Sequence, residues 1–187
     1  IDATSNVVSA VPACGVSPPP TVIMDHGLGV RIRLQGITQK AGGQAARVWM
    51  FAGDMVVGRD VVLTNDETGV YLGDLSIGGV VPVGTYDVLI KTPSHLQRRI
   101  TGVVVTVPPQ VIDWSGGESK QLLVGDVNNS NTITIEDVVA VLAKYTDFAV
   151  VVPAGTPEDV NADGRITIDD VALTMINYTD FTISGDN

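Results

Sequence analysis

Oxygen-bearing side chains recur at fixed spacing in two stretches of this chain. From Asp126 the sequence reads DVNNSNTITIEDVVAVLAKYTDF, and from Asp159 it reads DVNADGRITIDDVALTMINYTDF. The second copy follows the first by 33 residues, without a gap. That period also suits ankyrin repeats, but neither copy carries their T-P-L-H-x-A pattern. Positions 1, 3, 5, 7, 9 and 12 of the first copy are Asp126, Asn128, Ser130, Thr132, Thr134 and Asp137. In the second copy they are Asp159, Asn161, Asp163, Arg165, Thr167 and Asp170. Six oxygen donors at this spacing in a 12-residue loop suit a hard cation, above all calcium. Position 7 contributes only its backbone carbonyl, so Arg165 is no obstacle.

The two loops differ in strength. Gly164 stands at position 6 of the second, where the chain must turn sharply. Asn131 stands there in the first; Asn is the non-glycine residue that best tolerates a left-handed backbone. The second loop has three carboxylates among its ligand positions and the first has two. Ligand charge tunes affinity, so the first is expected to bind more weakly. Position 12 is Asp in both, where the EF-hand pattern has Glu. Asp- and Asn-rich stretches also make ordinary turns. Two such loops in one frame, each followed by the same apolar pattern, favour calcium.

Helices must position these ligands. Ile135, Val138, Val139, Leu142 and Tyr145 recur at helical spacing, as do Ile168, Val171, Ala172, Met175 and Ile176. Thr134 and Thr167 stand as N-caps, with Asp137 and Asp170 in the first turn, where a carboxylate suits the helix dipole. The preceding GGESKQLLVG and VVPAGTPE hold Gly and Pro and lack helical periodicity. The unit is loop then helix, half of an EF-hand.

This arrangement resembles the dockerin type I module of extracellular multi-protein assemblies, over about residues 124–183, a third of the chain. The resemblance rests on the paired G/E-D-x-N loops, Asp at position 12 and the repeated helix. It implies two calcium ions, two near-symmetric helices and a cohesin domain as partner. It also implies that loop positions 10 and 11 help set the partner. Here these are Ile135 and Glu136 in the first copy, and Ile168 and Asp169 in the second.

Charge divides the chain near Gly116–Gly117. Residues 1–120 hold 9 Lys/Arg and 10 Asp/Glu, net −1; residues 121–187 hold 2 and 11, net −9; together they give −10. An acidic balance argues against nucleic acid and anionic membrane surfaces. The one cysteine, Cys14, allows no intrachain disulfide; it is a free thiol, an intermolecular bond or a small buried residue. No apolar run, Phe148 to Val152 included, approaches the roughly 20 residues of a membrane helix. A start at Ile1 rather than Met is the expectation for a processed, secreted protein, as is a calcium module suited to extracellular calcium.

Residues 1–21 read as an extended arm, rich in small residues and ending in three prolines. Such an arm is a candidate for strand addition to a neighbouring chain. Residues 22–115 read as a β domain. Expected strands are Val30–Leu34, Arg47–Phe51, Val61–Leu63, Val70–Leu72, Tyr86–Ile90 and Val103–Val107, with Thr21–Met24 a seventh candidate. Gly and Asn-Asp turn signals separate them, which predicts an antiparallel sandwich. VPVGTYDVLIKT, with NDETGVYLGDL upstream, resembles the transthyretin-like or carboxypeptidase-regulatory sandwich family. That resemblance implies a scaffold, an adhesion stalk or a carbohydrate binder, with Gly84 turning into the strand and Tyr86 packing.

Catalysis finds little support. His26 beside Asp25 would point to the opposite strand face. His95 reads as part of a polar turn, SHLQRR, and Arg98-Arg99 as a solvated strand edge. No G-x-S-x-G, H-E-x-x-H or phosphate loop occurs. Trp49 and Trp114 are read as packing residues, Trp114 at the domain junction, rather than as a sugar platform.

The expected fold class is mainly β plus a small α module. An antiparallel Ig-like or transthyretin-like sandwich (22–115) is followed by two loop–helix calcium repeats (116–187). The expected function is non-catalytic, extracellular or cell-surface attachment. Its partner is a cohesin-like domain, or further copies of this chain joined into a filament through the arm. Glycan binding by the sandwich is the third reading. The repeated YTDF at Tyr145–Phe148 and Tyr178–Phe181 reads as a helix end with a packing Phe.

Overall fold

The structure, a computed structural model, describes residues 27–37, 43–65, 69–107, 109–117, 120–146, 150–178 and 183–186. The proposed arm, the strand candidate Thr21–Met24, Cys14, Asp25, His26, Phe148 and Phe181 lie outside these residues. The described chain is mostly β with two helices.

Seven strands make one continuous sheet: β1 (Leu28–Arg33), β2 (Gln44–Ala52), β3 (Met55–Asn65), β4 (Val70–Asp74), β5 (Gly84–Lys91), β7 (Arg98–Val105) and β8 (Gln110–Trp114), with β6 (Ser94–His95) standing apart. The order is β7-β5-β2-β3-β4-β1-β8. The long β3 carries the chain between two half-sheets. It pairs with β2 from Met55 to Leu63 and with β4 only at Thr64 and Asn65. Alternation supplies the core: Val30 and Ile32, Val48 and Met50, Val88 and Ile90 all point inward and are fully buried. They form one cluster with Leu63, Tyr71, Leu75 and Ile112. Two half-sheets closing on one core make a sandwich. Near its open side the Gln110 side chain accepts from Thr106 N and donates to Val104 O.

Several expectations needed correction. The sheet is not wholly antiparallel, because β8 runs parallel to β1 from Leu28–Gln110 to Ile32–Trp114. β8 itself was not expected as a strand, and Arg98–Val105 replaces Val103–Val107. Arg98 and Arg99 at the start of β7 and Asp113 within β8 interrupt the apolar alternation. Tyr86 packs as expected, 1% exposed, with its hydroxyl donating to Pro82 O at 2.8 Å. Trp114 packs against the sandwich core, with the Lys120 ammonium 5.2 Å from its ring centroid.

Beyond β8 the chain adds Leu122, fully buried in the sandwich core. Then come β9 (Val124–Asp126), β10 (Thr132–Ile133), α1 (Ile135–Lys144), α2 (Ile168–Asn177) and β11 (Ile183–Ser184). A second, smaller core joins Val124, Val127, Val141, Val160, Ile166 and Val171. No helix among the described residues is long and apolar enough to cross a membrane.

Candidate metal centre

The two loops fold alike because the same residue types make the same bonds. Position 1 accepts from the backbone N–H of position 6: Asn131 N to Asp126 Oδ2 at 3.0 Å, Gly164 N to Asp159 Oδ2 at 2.9 Å. Position 3 accepts from position 5: Ser130 N to Asn128 Oδ1 and Asp163 N to Asn161 Oδ1, both 2.9 Å. Position 12 closes the ring. Asp137 Oδ1 accepts from Asn128 N, and Asp170 Oδ1 from Val160 N and Asn161 N. Their second oxygens accept from Thr134 N and Thr167 N, completing the two capping boxes. Positions 4 and 6 of both loops are left-handed: Asn129 (φ 62°), Asn131 (φ 63°), Ala162 (φ 57°) and Gly164 (φ 87°). Ala162 there costs about 1–2 kcal/mol, so the loop's bonds hold it.

Strand pairing extends the symmetry beyond the expected repeat. Thr132 pairs with Ser184, and Arg165 bridges to Val151. Gly185 N donates to Asn131 O at 2.9 Å, and Val152 N to Gly164 O at 2.8 Å. Each of these pairs maps onto the other by the 33-residue offset. The segment after each helix thus pairs with the loop of the other repeat, and neither half is complete alone.

Among the expected ligand positions Asp126, Asp137 and Asp170 are fully buried, whereas Asn128, Ser130, Asp163 and Arg165 are exposed. Burial pushes the carboxyls of Asp159 and Asp170 above the usual Asp range. Bonds from Gly164 N–H and Thr167 N–H oppose this, and the Asp163 charge adds to it in both. Among the described residues no group of three or more His, Cys, Asp and Glu side chains gathers as a cation site. A cation here would draw on a mixed set of carboxylate, amide, hydroxyl and backbone oxygens, which suits hard calcium. Asp126 Oδ1, fully buried and without a hydrogen-bond partner, fits such an ion.

The residues expected to set the partner, Ile135, Glu136, Ile168 and Asp169, are all exposed. The expected apolar helix stripes needed correction, because they mix two faces. Val138 and Val141 on α1, and Val171 and Thr174 on α2, turn inward. Ile135 (52% exposed), Val139 and Leu142 (49%) face solvent, as do Ile168 (59%), Met175 (53%) and Ile176. Ile135 and Leu142 correspond to Ile168 and Met175 in the repeat, so both helices leave the same apolar stripe open.

Sequence reasoning missed how the sandwich holds the first loop. Lys91, at the end of β5, places Nζ 2.8 Å from Asp126 Oδ2, and the pair is nearly buried. Burial lowers the Lys91 pKa, while Asp126 and Asp137 oppose the shift. The Asn131 side chain accepts from Gln97 N at 2.8 Å and donates to Asp186 O. Asp186 N in turn donates to Gln97 O, its carbonyl accepts from Gln97 Nε2, and its carboxylate accepts from Arg99 N. A Cβ at Gly185 would stand 2.1 Å from Asn131 Oδ1, so only glycine fits there. His95 is not in an exposed polar turn; it is buried, its ring nitrogens 3.0 Å from Pro93 O and Gln35 O. β6 pairs with β9, which draws His95 into the junction. Burial lowers its pKa.

No protein-family model matches the chain, and no curated protein matches it. Among solved structures, it is similar to a chain of a C-terminal-interface mutant of a type II cohesin–X-dockerin complex from Acetivibrio cellulolyticus. Identity is 19% and the TM-score 0.49, over 81% of this chain and 94% of that one. An N-terminal-interface mutant of that complex, also from Acetivibrio cellulolyticus, gives 19% identity and a TM-score of 0.47, over 82% and 96%.

Proposed function

We propose that this chain is a non-catalytic extracellular attachment protein whose two loops each hold a calcium ion. The ions order two helices, and the exposed helix faces dock a separate protein of the cohesin kind. The observation that carries this reading is the duplicated geometry. Both loops bring carboxylate, amide and carbonyl oxygens around one turn, and both helices leave one equivalent apolar stripe uncovered. Uncovered apolar stripes on an otherwise ordered module mark interaction surfaces. Helix-borne anchors of this type seat against a partner's groove or sheet. Glycan binding is less well supported: both tryptophans are half-buried against neighbours rather than open as a platform.

The test combines metal analysis with calorimetry against recombinant cohesin domains in calcium and in chelator. The reading predicts bound calcium and docking that chelator abolishes. Ile135→Asp with Ile168→Asp is expected to weaken docking at least about a hundredfold, since hot-spot anchors each contribute ~2 kcal/mol or more. Absence of calcium, or docking indifferent to both substitutions, would overturn it.

A further inference from the structure

We propose that Lys91 is a resident counter-cation of the first loop, so that the two loops take calcium unequally, the second before the first. This rests on the reading of both loops as calcium sites. The Lys91 ammonium has three N–H donors and meets three acceptors: Asp126 Oδ2 at 2.8 Å, Thr92 O at 3.1 Å and His95 O. A fully satisfied, nearly buried ammonium is fixed in place rather than swinging into solvent. It approaches the oxygen of Asp126 that also accepts from Asn131 N, and leaves Oδ1 without a partner. The loop is therefore still open to an ion.

Charge then separates the two sites. The first loop offers Asp126 and Asp137 against the Lys91 cation, a net of −1. The second offers Asp159, Asp163 and Asp170, and no cation pairs with any of these three among the described residues. The first loop is also held by protein contacts alone, through Asn131 to Gln97 and to Asp186. A dication entering the first site meets less attraction and orders less chain. The sandwich, through one residue of β5, thus sets the calcium affinity of a loop in the next module.

Calorimetric titration of the metal-free chain with calcium chloride tests this. Two unequal steps are expected in the unaltered protein. Asp163→Asn should weaken the tighter step. Lys91→Gln should tighten the weaker one about tenfold or more, the order expected when a unit charge beside a divalent ion is removed in a well-screened medium. Lys91→Arg should leave both steps in place. Equal affinities in the unaltered protein, or a weaker step unmoved by Lys91→Gln, would overturn the proposal while leaving the calcium reading intact. No bound calcium in any form would sink the calcium reading itself. If Lys91→Gln does not fold, amide exchange of the unaltered chain in chelator decides. Protected Asn131 and Gln97 beside fast Asp163 and Gly164 supports the proposal, and equal exchange in the two loops overturns it.

Discussion

Asp170→Ala tests the loop architecture most sharply, because this carboxylate does three jobs. It caps α2 by accepting from Thr167 N at 2.8 Å. It gathers the loop by accepting from Val160 N at 2.9 Å and Asn161 N at 3.3 Å. On the proposed calcium reading it is also the position-12 oxygen donor. Alanine strands three backbone N–H groups: Val160 is buried, and Asn161 and Thr167 are half-buried. Each lost bond to a charged acceptor costs about 1.5–3 kcal/mol, less where water re-enters at half-exposed Asn161 and Thr167, and removing a buried carboxylate beside Asp163 offsets part of the loss. The sum is about 3–5 kcal/mol without any metal. That is a large share of the roughly 5–15 kcal/mol that whole domains hold, so the metal-free variant should unfold at markedly lower urea. In calcium the variant also loses the linkage term, about 2.7 kcal/mol at a hundred times the dissociation constant. Urea unfolding followed by circular dichroism, in chelator and in calcium, reads both parts. Asp170→Asn keeps one acceptor and should lose about half the metal-free amount. A metal-free loss below about 0.5 kcal/mol for Asp170→Ala would refute the loop reasoning, and an equal loss in both buffers would refute its link to calcium.

Three further outcomes follow from the junction. Gly185→Ala forces the tail from Asn131 and Gln97 and should cost about 2–4 kcal/mol in urea unfolding through several lost hydrogen bonds. Leu122→Ala empties a fully buried site in the sandwich core and should destabilise the sandwich by about 2–5 kcal/mol, although Leu122 lies past the charge boundary. His95 has a folded-state pKa lowered from 6.5, so its contribution is present above that value and is lost as pH falls below it. Unfolding free energy should therefore drop on acidification below pH 6.5, and His95→Gln should flatten that part of the profile.

What was legible in the sequence was local. The threonine caps and the turns at Asn131 and Gly164 each depend on residues within one loop, and each took the expected form. Helix existence was legible too, but the choice of buried face was not. Val139, Leu142 and Ile176 are apolar yet exposed, while Thr174 and Asp137 are buried. Apolarity alone cannot distinguish a stripe facing the module's own core from one left exposed. The junction was illegible because its contacts are distant in sequence. Lys91 meets Asp126 across 35 positions, and Asn177 meets Gln35 across 142. One signal was available: Asn131 departs from glycine at position 6, and its amide proves to be the clamp to Gln97. His95 misled because its polar neighbours suggested solvent, whereas β6 turns it inward.

The central claim is that calcium orders a docking module. The most direct measurement is the calcium content of the purified chain in millimolar calcium, with sedimentation in calcium and in excess chelator. The account predicts two ions per chain, a monomer in calcium, and a looser, less helical chain in chelator. Large calcium-dependent particles would point instead to a self-assembling subunit. A chain that carries no calcium and keeps the same size and helix content in both buffers would contradict the account.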